Sequence, residues 1–431
     1  MTPPDSLVGR GNEEGAALFR SWFEELGGVA EKRQGAAYVF VMGSVVEILK
    51  SFDMPVVFPE IASLQTAIRR VAHEYLNEAE DLGYSPDICG YVKADVALQR
   101  RGGQHPMGTI PRPSIAVYTN ACNTYIKWAE IWERMYGIPI VTIDVPGTRQ
   151  AGCQTWPGER RFENDRRYVE GQLRELIATC ETVTGQAFDI DKLRETMGHA
   201  NRVSTCWARV LALNRSRPSL FNALTDGTIY LGVADGFRGT PEGTRYFERL
   251  VEELEYKAAH GIGTTTEERY RLSFLGVPCY PIFRRFNELF AEWGGTFVSS
   301  TYLWFASGGT NRDYQYDLAD PIASLAEGLL LSVRDAMDSM FHPHTMVRQM
   351  IEDYAIDGVV FHPIKSCRTV STGLADSRRA LMEETGLNSL FIESDMMDRR
   401  VVSEAQLKNR IDAFFEGLAS RRAQTLAAGG A

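Results

Sequence analysis

Seven cysteines are scattered along the chain, and three stand where a metal-binding thiolate would be placed. Cys122 follows the apolar run SIAVYTN and directly precedes NTYIKWAEIWERMYG, which has helical spacing. Cys367 follows GVVFHPIKS and precedes a polar turn and the helical SRRALMEETG. Ligands of open α/β sheets bind beyond the carboxyl ends of strands. A helix N-terminus there offers unpaired N–H groups and the positive end of a dipole, which favour a thiolate. Cys89, in DICGYVKADV, precedes another helical run, and Gly90 beside it permits close backbone approach. Thiolates at such turns in two different regions would suit a metal cluster held between them. Three thiolates on an iron–sulfur cluster leave one iron for a non-protein ligand. No CxxC anchors the set, so spacing alone leaves open three unrelated buried cysteines. Cys180, in step with Leu173, Leu176 and Ile177, reads as a small core residue, as does Cys206 beside Val203 and Val210. Cys153, in AGCQTW, and Cys279, between Pro278 and Tyr280, are open to either reading.

The elements that must position these residues are legible from periodicity. Continuous apolar runs at 38–42, 55–58, 114–119 and 138–143 read as buried strands, with helical patterns over 61–82 and 124–136 between them. From about 165 to 257 the pattern is helical. Strand candidates return at 276–280, 296–300, 358–363 and 389–394, again alternating with helices. The expected fold is α/β, with two Rossmann-like parallel-sheet domains joined by a helical connector. The expected divisions are a tail and helix (1–35), a first α/β domain with two of the cysteines (36–164), the connector (165–265) and a second α/β domain with the third (266–425). The two α/β regions could be distant structural duplicates.

Composition bounds the function. The 431 residues are 44% apolar and 24% charged, as in ordinary globular proteins. A net charge of −10 argues against a nucleic-acid binder. No apolar stretch is long enough to span a bilayer. The opening MTPPDSLVGRGNEEG lacks a basic segment followed by an apolar one, so no signal peptide is expected and a cytoplasmic location is. There, cysteines do not form a disulfide framework.

The segments AEDLGYSPDICGYVKADV, YTNACNTYIKWAEIWERMYGIPIVTIDVP and IDGVVFHPIKSC, with the closing DxxDxR–SEAQxxxRI pattern, resemble the family of 2-hydroxyacyl-CoA dehydratase and benzoyl-CoA reductase catalytic subunits. RPSLFNALTDG and GTPEGTRYFERLVEELE fit as well, so the resemblance runs from about 41 to 418. It implies that Cys89, Cys122 and Cys367 hold an iron–sulfur cluster, a [4Fe–4S] cluster with three cysteine ligands. It further implies a homologous second catalytic subunit and a separate ATP-hydrolysing iron–sulfur activator that delivers low-potential electrons. Ketyl-type radicals of an acyl-CoA thioester would follow. VVFPE, CGYVKADV and YVEGQLREL lean toward the larger, B-type subunit of benzoyl-CoA reductases. Dehydratase subunits often read TPEEL where this chain has Gly43-Ser44-Val45-Val46-Glu47. The expected function is dearomatisation of benzoyl-CoA or a related aryl-CoA. The alternatives are radical dehydration of a 2-hydroxyacyl-CoA, a non-catalytic electron-transfer subunit, and a double-cubane reductase that would also use Cys153 and Cys279.

Such chemistry needs a proton donor. His362 lies five residues before Cys367, which places the two on opposite faces of an extended segment unless Pro363 bends it. Glu60, at a strand end, could donate if burial raises its pKa. Glu47 and Ser44 are weaker candidates, and the ordinary reading of all four is a cap or a solvated polar group. His342 and His344 read as a surface turn around Pro343. Tyr91, Tyr118, Tyr125, Trp128 and Phe361 could shape an apolar cavity, or simply be core. CoA phosphates need cations, and Arg100–Arg101, Arg160–Arg161, Arg166–Arg167, Arg284–Arg285 and Arg399–Arg400 are all available. There is no Walker A sequence, so ATP hydrolysis would belong to the partner.

Overall fold

In the computed structural model, residues 7–147, 155–305, 314–341 and 343–429 are described. Strand β1 (Ala36–Val39) lies between β2 (Val56–Val57) and β5 (Pro113–Thr119), and β6 (Ile140–Ile143) completes a four-stranded parallel sheet. A short hairpin, β3 (Gln104–His105) with β4 (Gly108–Thr109), stands apart from it. The second parallel sheet has β7 (Tyr270–Leu275) between β8 (Gly295–Ser300) and β9 (Gly358–Phe361), with β10 (Asn388–Phe391) outside β9. Taken in chain order, each sheet runs second, first, third, fourth. Such shared topology is what a duplicated unit would leave. Strands β1, β8 and β9 are buried along their whole length, and β5 and β7 at all but one position each, as in parallel sheets covered on both faces, which is why such strands read as apolar runs.

Between the sheets the chain is helical, with Arg160–Thr184, Ile190–Leu213, Thr225–Gly236 and Pro241–Ala259. Asp189 caps the second of these on the N–H groups of Asp191 and Lys192, and Thr240 caps the last, which starts with proline. Among the described residues no helix is long and apolar enough to cross a membrane.

Two expectations fail locally. The helix expected over 61–82 is two helices, Pro59–Ile68 and Ala72–Asp81, broken where Arg70 takes a left-handed φ of +63°. The strand expected at 276–280 lies earlier, as β7. Gly276, at φ +123°, turns the chain away, and Pro278 has no N–H for a ladder. The earlier strand is hidden in the sequence by Arg271. It is 1% exposed because Glu268 and the carbonyls of Tyr354 and Ser216 neutralise and bind its guanidinium.

Candidate active site

Each of the three singled-out cysteines is the N-cap of a helix: Cys89 of Gly90–Arg100, Cys122 of Asn123–Tyr136 and Cys367 of Arg368–Ser371. No first-turn N–H closes a hydrogen bond to the capping sulfur, but those of Val92 and Tyr91 near Cys89, Thr124 near Cys122, and Val370 and Thr369 near Cys367 favour the thiolate. Cys122 and Cys367 follow the third strand of their respective sheets, so they occupy equivalent places in the two halves. The fold brings all three within electrostatic reach of one another. Thr369, two residues after Cys367, lies 3.5 Å from the Cys122 sulfur, and its hydroxyl donates to Asn123 Oδ1 at 3.0 Å.

Buried polar contacts explain why the motifs around the cysteines read as they do. Asp95, on the Cys89 helix, accepts the indole N–H groups of Trp128 and Trp132, both 2.7 Å, from the Cys122 helix. Burial lifts its carboxyl to about 6 against these bonds. Asp395 accepts the N–H of Ser366 at 2.9 Å, tying the Cys367 loop to its own, which the N–H groups of Met397 and Asp398 close. That loop then packs on the Cys89 helix. A Cβ at Gly90 would stand 2.6 Å from Met397 Cβ, so only glycine allows this approach. Outside it, Arg400 reaches Glu80 Oε1 at 2.6 Å, and the same carboxylate holds Lys93 at 2.9 Å. Lys93, 1% exposed, lies on the Cys89 helix.

The helix N-termini do not make these thiols acidic. Burial pushes Cys367 up to about 12 and Cys89 well above the ordinary thiol value, and the neighbouring sulfurs raise both further. Burial also raises Cys122, against the Thr369 hydroxyl. Three sulfurs that burial and mutual repulsion keep protonated become thiolates only when a cation compensates them. Among the described residues no group of three or more His, Cys, Asp or Glu is close-set enough for a single metal ion. At a metal–sulfur length of about 2.3 Å a lone ion needs its thiolates in near contact. Thiolates are also the donors that iron–sulfur clusters take, and three thiols gathered in one buried place are of that donor type.

Beside the cysteines lies a buried polar cluster from the carboxyl ends of both sheets. Glu60 begins the helix after β2 and accepts the Val41 N–H at 2.7 Å and the Tyr125 hydroxyl at 2.6 Å. Burial pushes its carboxyl up to about 7, against both bonds. Tyr302, from the corresponding position after β8, faces it together with Tyr280, Tyr91 and Asp235. The hydroxyls of Tyr91, Tyr280 and Ser44 and Asp235 Oδ1 are buried without a hydrogen-bond partner among the described residues. Buried polar atoms of this kind call for a further partner, such as a bound water or a ligand. Sequence reasoning did not find Tyr280, Tyr302, Asp235 or Thr369. The first lies beside Cys279 at a strand end, a usable signal, whereas Asp235 in LGVADGF carries none.

The other candidates are placed differently. His362 has Nδ1 2.7 Å from the Val277 carbonyl and Nε2 2.5 Å from Ser394 Oγ, and burial lowers it to about 4. Both ring nitrogens are thus engaged within the second sheet. Glu47 is fully buried against Arg238, whose guanidinium also donates to the Tyr316 hydroxyl. Cys180 and Cys279 are buried, and Cys206 is half-buried beside the second core. Tyr118, Trp128 and Phe361 are core residues. Cys153, His342 and the side chain of His344 lie outside the described residues.

A family model described as 2-hydroxyglutaryl-CoA dehydratase, D-component, matches residues 42–418. The chain is 31% identical to the B subunit of benzoyl-CoA reductase from Thauera aromatica, over 93% of this chain and 92% of that protein. It is 28% identical to the (R)-2-hydroxyisocaproyl-CoA dehydratase alpha subunit of Clostridioides difficile, covering 87% and 88% of the two. To the alpha subunit of (R)-2-hydroxyglutaryl-CoA dehydratase from Acidaminococcus fermentans the identity is 23%, over 86% and 89%. With a match over most of its length, and cysteines placed alike in both halves, this chain belongs to the family of the 2-hydroxyglutaryl-CoA dehydratase D-component.

Proposed function

We propose that the chain is the iron–sulfur catalytic subunit of an ATP-dependent benzoyl-CoA or related aryl-CoA reductase. The observation that carries this reading is the meeting of Cys89, Cys122 and Cys367 as three helix N-caps beside a buried acid, Glu60. In this reading the three cysteines hold a [4Fe–4S] cluster, which supplies low-potential electrons to the ring. The chain's own residues then have separable tasks. Glu60 holds a proton near neutral pH and can give it to the reduced ring. The unpartnered hydroxyls of Tyr91 and Tyr280 can donate to a thioester carbonyl. Aromatic packing around Phe40, Tyr125 and Trp128 keeps water from the acid. The two sheets are read as cores of two Rossmann-like domains, 36–164 and 266–425, around the 165–265 connector. A homologous second subunit and an ATP-hydrolysing iron–sulfur activator complete the enzyme, in the cytoplasm.

The similarity to the B-type chain of benzoyl-CoA reductase favours ring reduction. The several dehydratase alpha subunits among the relatives favour a second reading, dehydration of a 2-hydroxyacyl-CoA on the same cluster. The test is anaerobic iron and sulfide analysis with EPR on Cys89→Ser, Cys122→Ser and Cys367→Ser. The co-expressed complex is then assayed with its activator against benzoyl-CoA and a 2-hydroxyacyl-CoA. An unchanged cluster in all three variants overturns the site, and dehydration without ring reduction selects the second reading.

A further inference from the structure

Of the eight adjacent arginine pairs in the chain, folding brings two together at one place. Arg284–Arg285 and Arg399–Arg400 line a single cleft of about 1020 Å³, joined by Arg70. Across that lining five arginines face one glutamate, Glu404, in a chain of net charge −10. Arg285, Arg399 and Arg400 are held by Glu292, Glu404 and Glu80. Arg70 and Arg284 form no ion pair among the described residues. Arg70 also keeps a side chain at φ +63°, just past a helix end where glycine is usual. Tyr280 and Met397, each 1% exposed, also line the cleft. Met397 packs on Gly90, next to Cys89, and the Tyr280 hydroxyl lies beside that of Tyr91. The cleft lining thus includes both exposed arginines and buried residues that touch the neighbours of Cys89.

We propose that this cleft takes the nucleotide tail of a CoA thioester, with Arg70 and Arg284 on its phosphates. The proposal rests on the acyl-CoA reading above. Guanidinium forks match phosphate oxygens in pairs, and these two have no carboxylate to give up first. Pro281, Ile282 and Phe283 line the same cleft and offer an apolar wall for the adenine ring. The pantetheine arm would then pass Tyr280 toward the three cysteines.

The test compares the wild-type complex with the complex carrying Arg70→Glu and Arg284→Glu. Both are titrated calorimetrically with free CoA and with 3′,5′-ADP, then assayed with benzoyl-CoA, a 2-hydroxyacyl-CoA and the matching pantetheine thioesters, which lack the nucleotide. The expected result is that CoA and 3′,5′-ADP bind about tenfold more weakly or worse per arginine lost, while turnover of the pantetheine thioester is that of wild type. Arg100→Glu with Arg101→Glu should change neither. Arg70→Gly relaxes the backbone, so it should raise the unfolding midpoint while still weakening CoA, which a purely structural role would not do. Unchanged CoA binding in the variants overturns the cleft assignment. So does an equal loss with both kinds of thioester. Loss of activator-dependent turnover alone, with CoA binding intact, also overturns it and assigns the arginines to the electron-donating partner. A wild-type complex that binds neither CoA nor 3′,5′-ADP overturns the acyl-CoA reading itself, so the two failures are told apart.

Discussion

Replacing Glu60 by glutamine should make the protein more stable in mild alkali and nearly inactive at every pH. Glu60 is 8% exposed, and burial lifts its carboxyl from near 4.5 to about 7. Below pH 4.5 folded and unfolded chains both hold the proton, and the full contribution is present. Between 4.5 and about 7 the unfolded chain releases the proton while the folded one keeps it. Stability then falls by about 1.36 kcal/mol per pH unit, and the loss is complete near pH 7 at about 3 kcal/mol. An amide never ionises. Its oxygen can accept the Val41 N–H and its NH2 can donate to the Tyr125 hydroxyl, which serves as donor or acceptor. Glu60→Gln should therefore lie within about 1 kcal/mol of wild type at pH 5 and exceed it by about 3 kcal/mol at pH 8. His362, lowered to about 4, acts oppositely, destabilising the fold as pH falls from its usual range. It is present in both proteins and cancels in the comparison. Paired denaturation at the two pH values checks the stability difference. The infrared band of a protonated carboxyl, isolated as wild type minus variant, should titrate near 7. A band gone by pH 5, or a variant no more stable at pH 8 than at pH 5 relative to wild type, would refute the reasoning. Turnover should drop about 10²–10⁴-fold if Glu60 delivers the proton.

Gly90→Ala drives a Cβ to 2.6 Å from Met397 Cβ, so it should cost about 1–3 kcal/mol and loosen the Cys89–Cys367 junction. Thermal unfolding and iron content check this, and in a double-mutant cycle with Met397→Gly the two losses should be less than additive, because the clash is then already relieved. Glu80→Ala strips the carboxylate from Lys93, which is 1% exposed, and should cost about 3 kcal/mol. Arg400→Ala, removing a partner that is 44% exposed, should cost at most about 1 kcal/mol. Denaturant titration compares the two, and similar losses would contradict this ranking. Glu47→Ala leaves the Arg238 guanidinium buried without its carboxylate and should cost about 3–5 kcal/mol. Replacing Glu47 and Arg238 together by leucine and methionine should cost less, as a double-mutant cycle would report.

The places of Cys89, Cys122 and Cys367 at helix starts were legible in the chain itself. A change from an apolar run to helical spacing within a few residues is a local event, and each of these cysteines caps the helix that follows it. The alternation of strands and helices was legible for the same reason. Where a local signal was countered from afar, it misled. Arg271 hid β7 because its neutralising partners include carbonyls more than fifty residues away. The helix N-termini should acidify the thiols, yet burial by both sheets makes them weaker acids. His362 stands near Cys367 in sequence, but Val277 and Ser394 take both its nitrogens. The arginine pairs were equivalent as sequence, and only packing put two of them with Arg70 in one cleft. The division follows from range. Hydrogen bonding along a strand or a helical turn is decided within a few residues. Burial, charge compensation and the meeting of groups hundreds of residues apart depend on how the sheets are placed together.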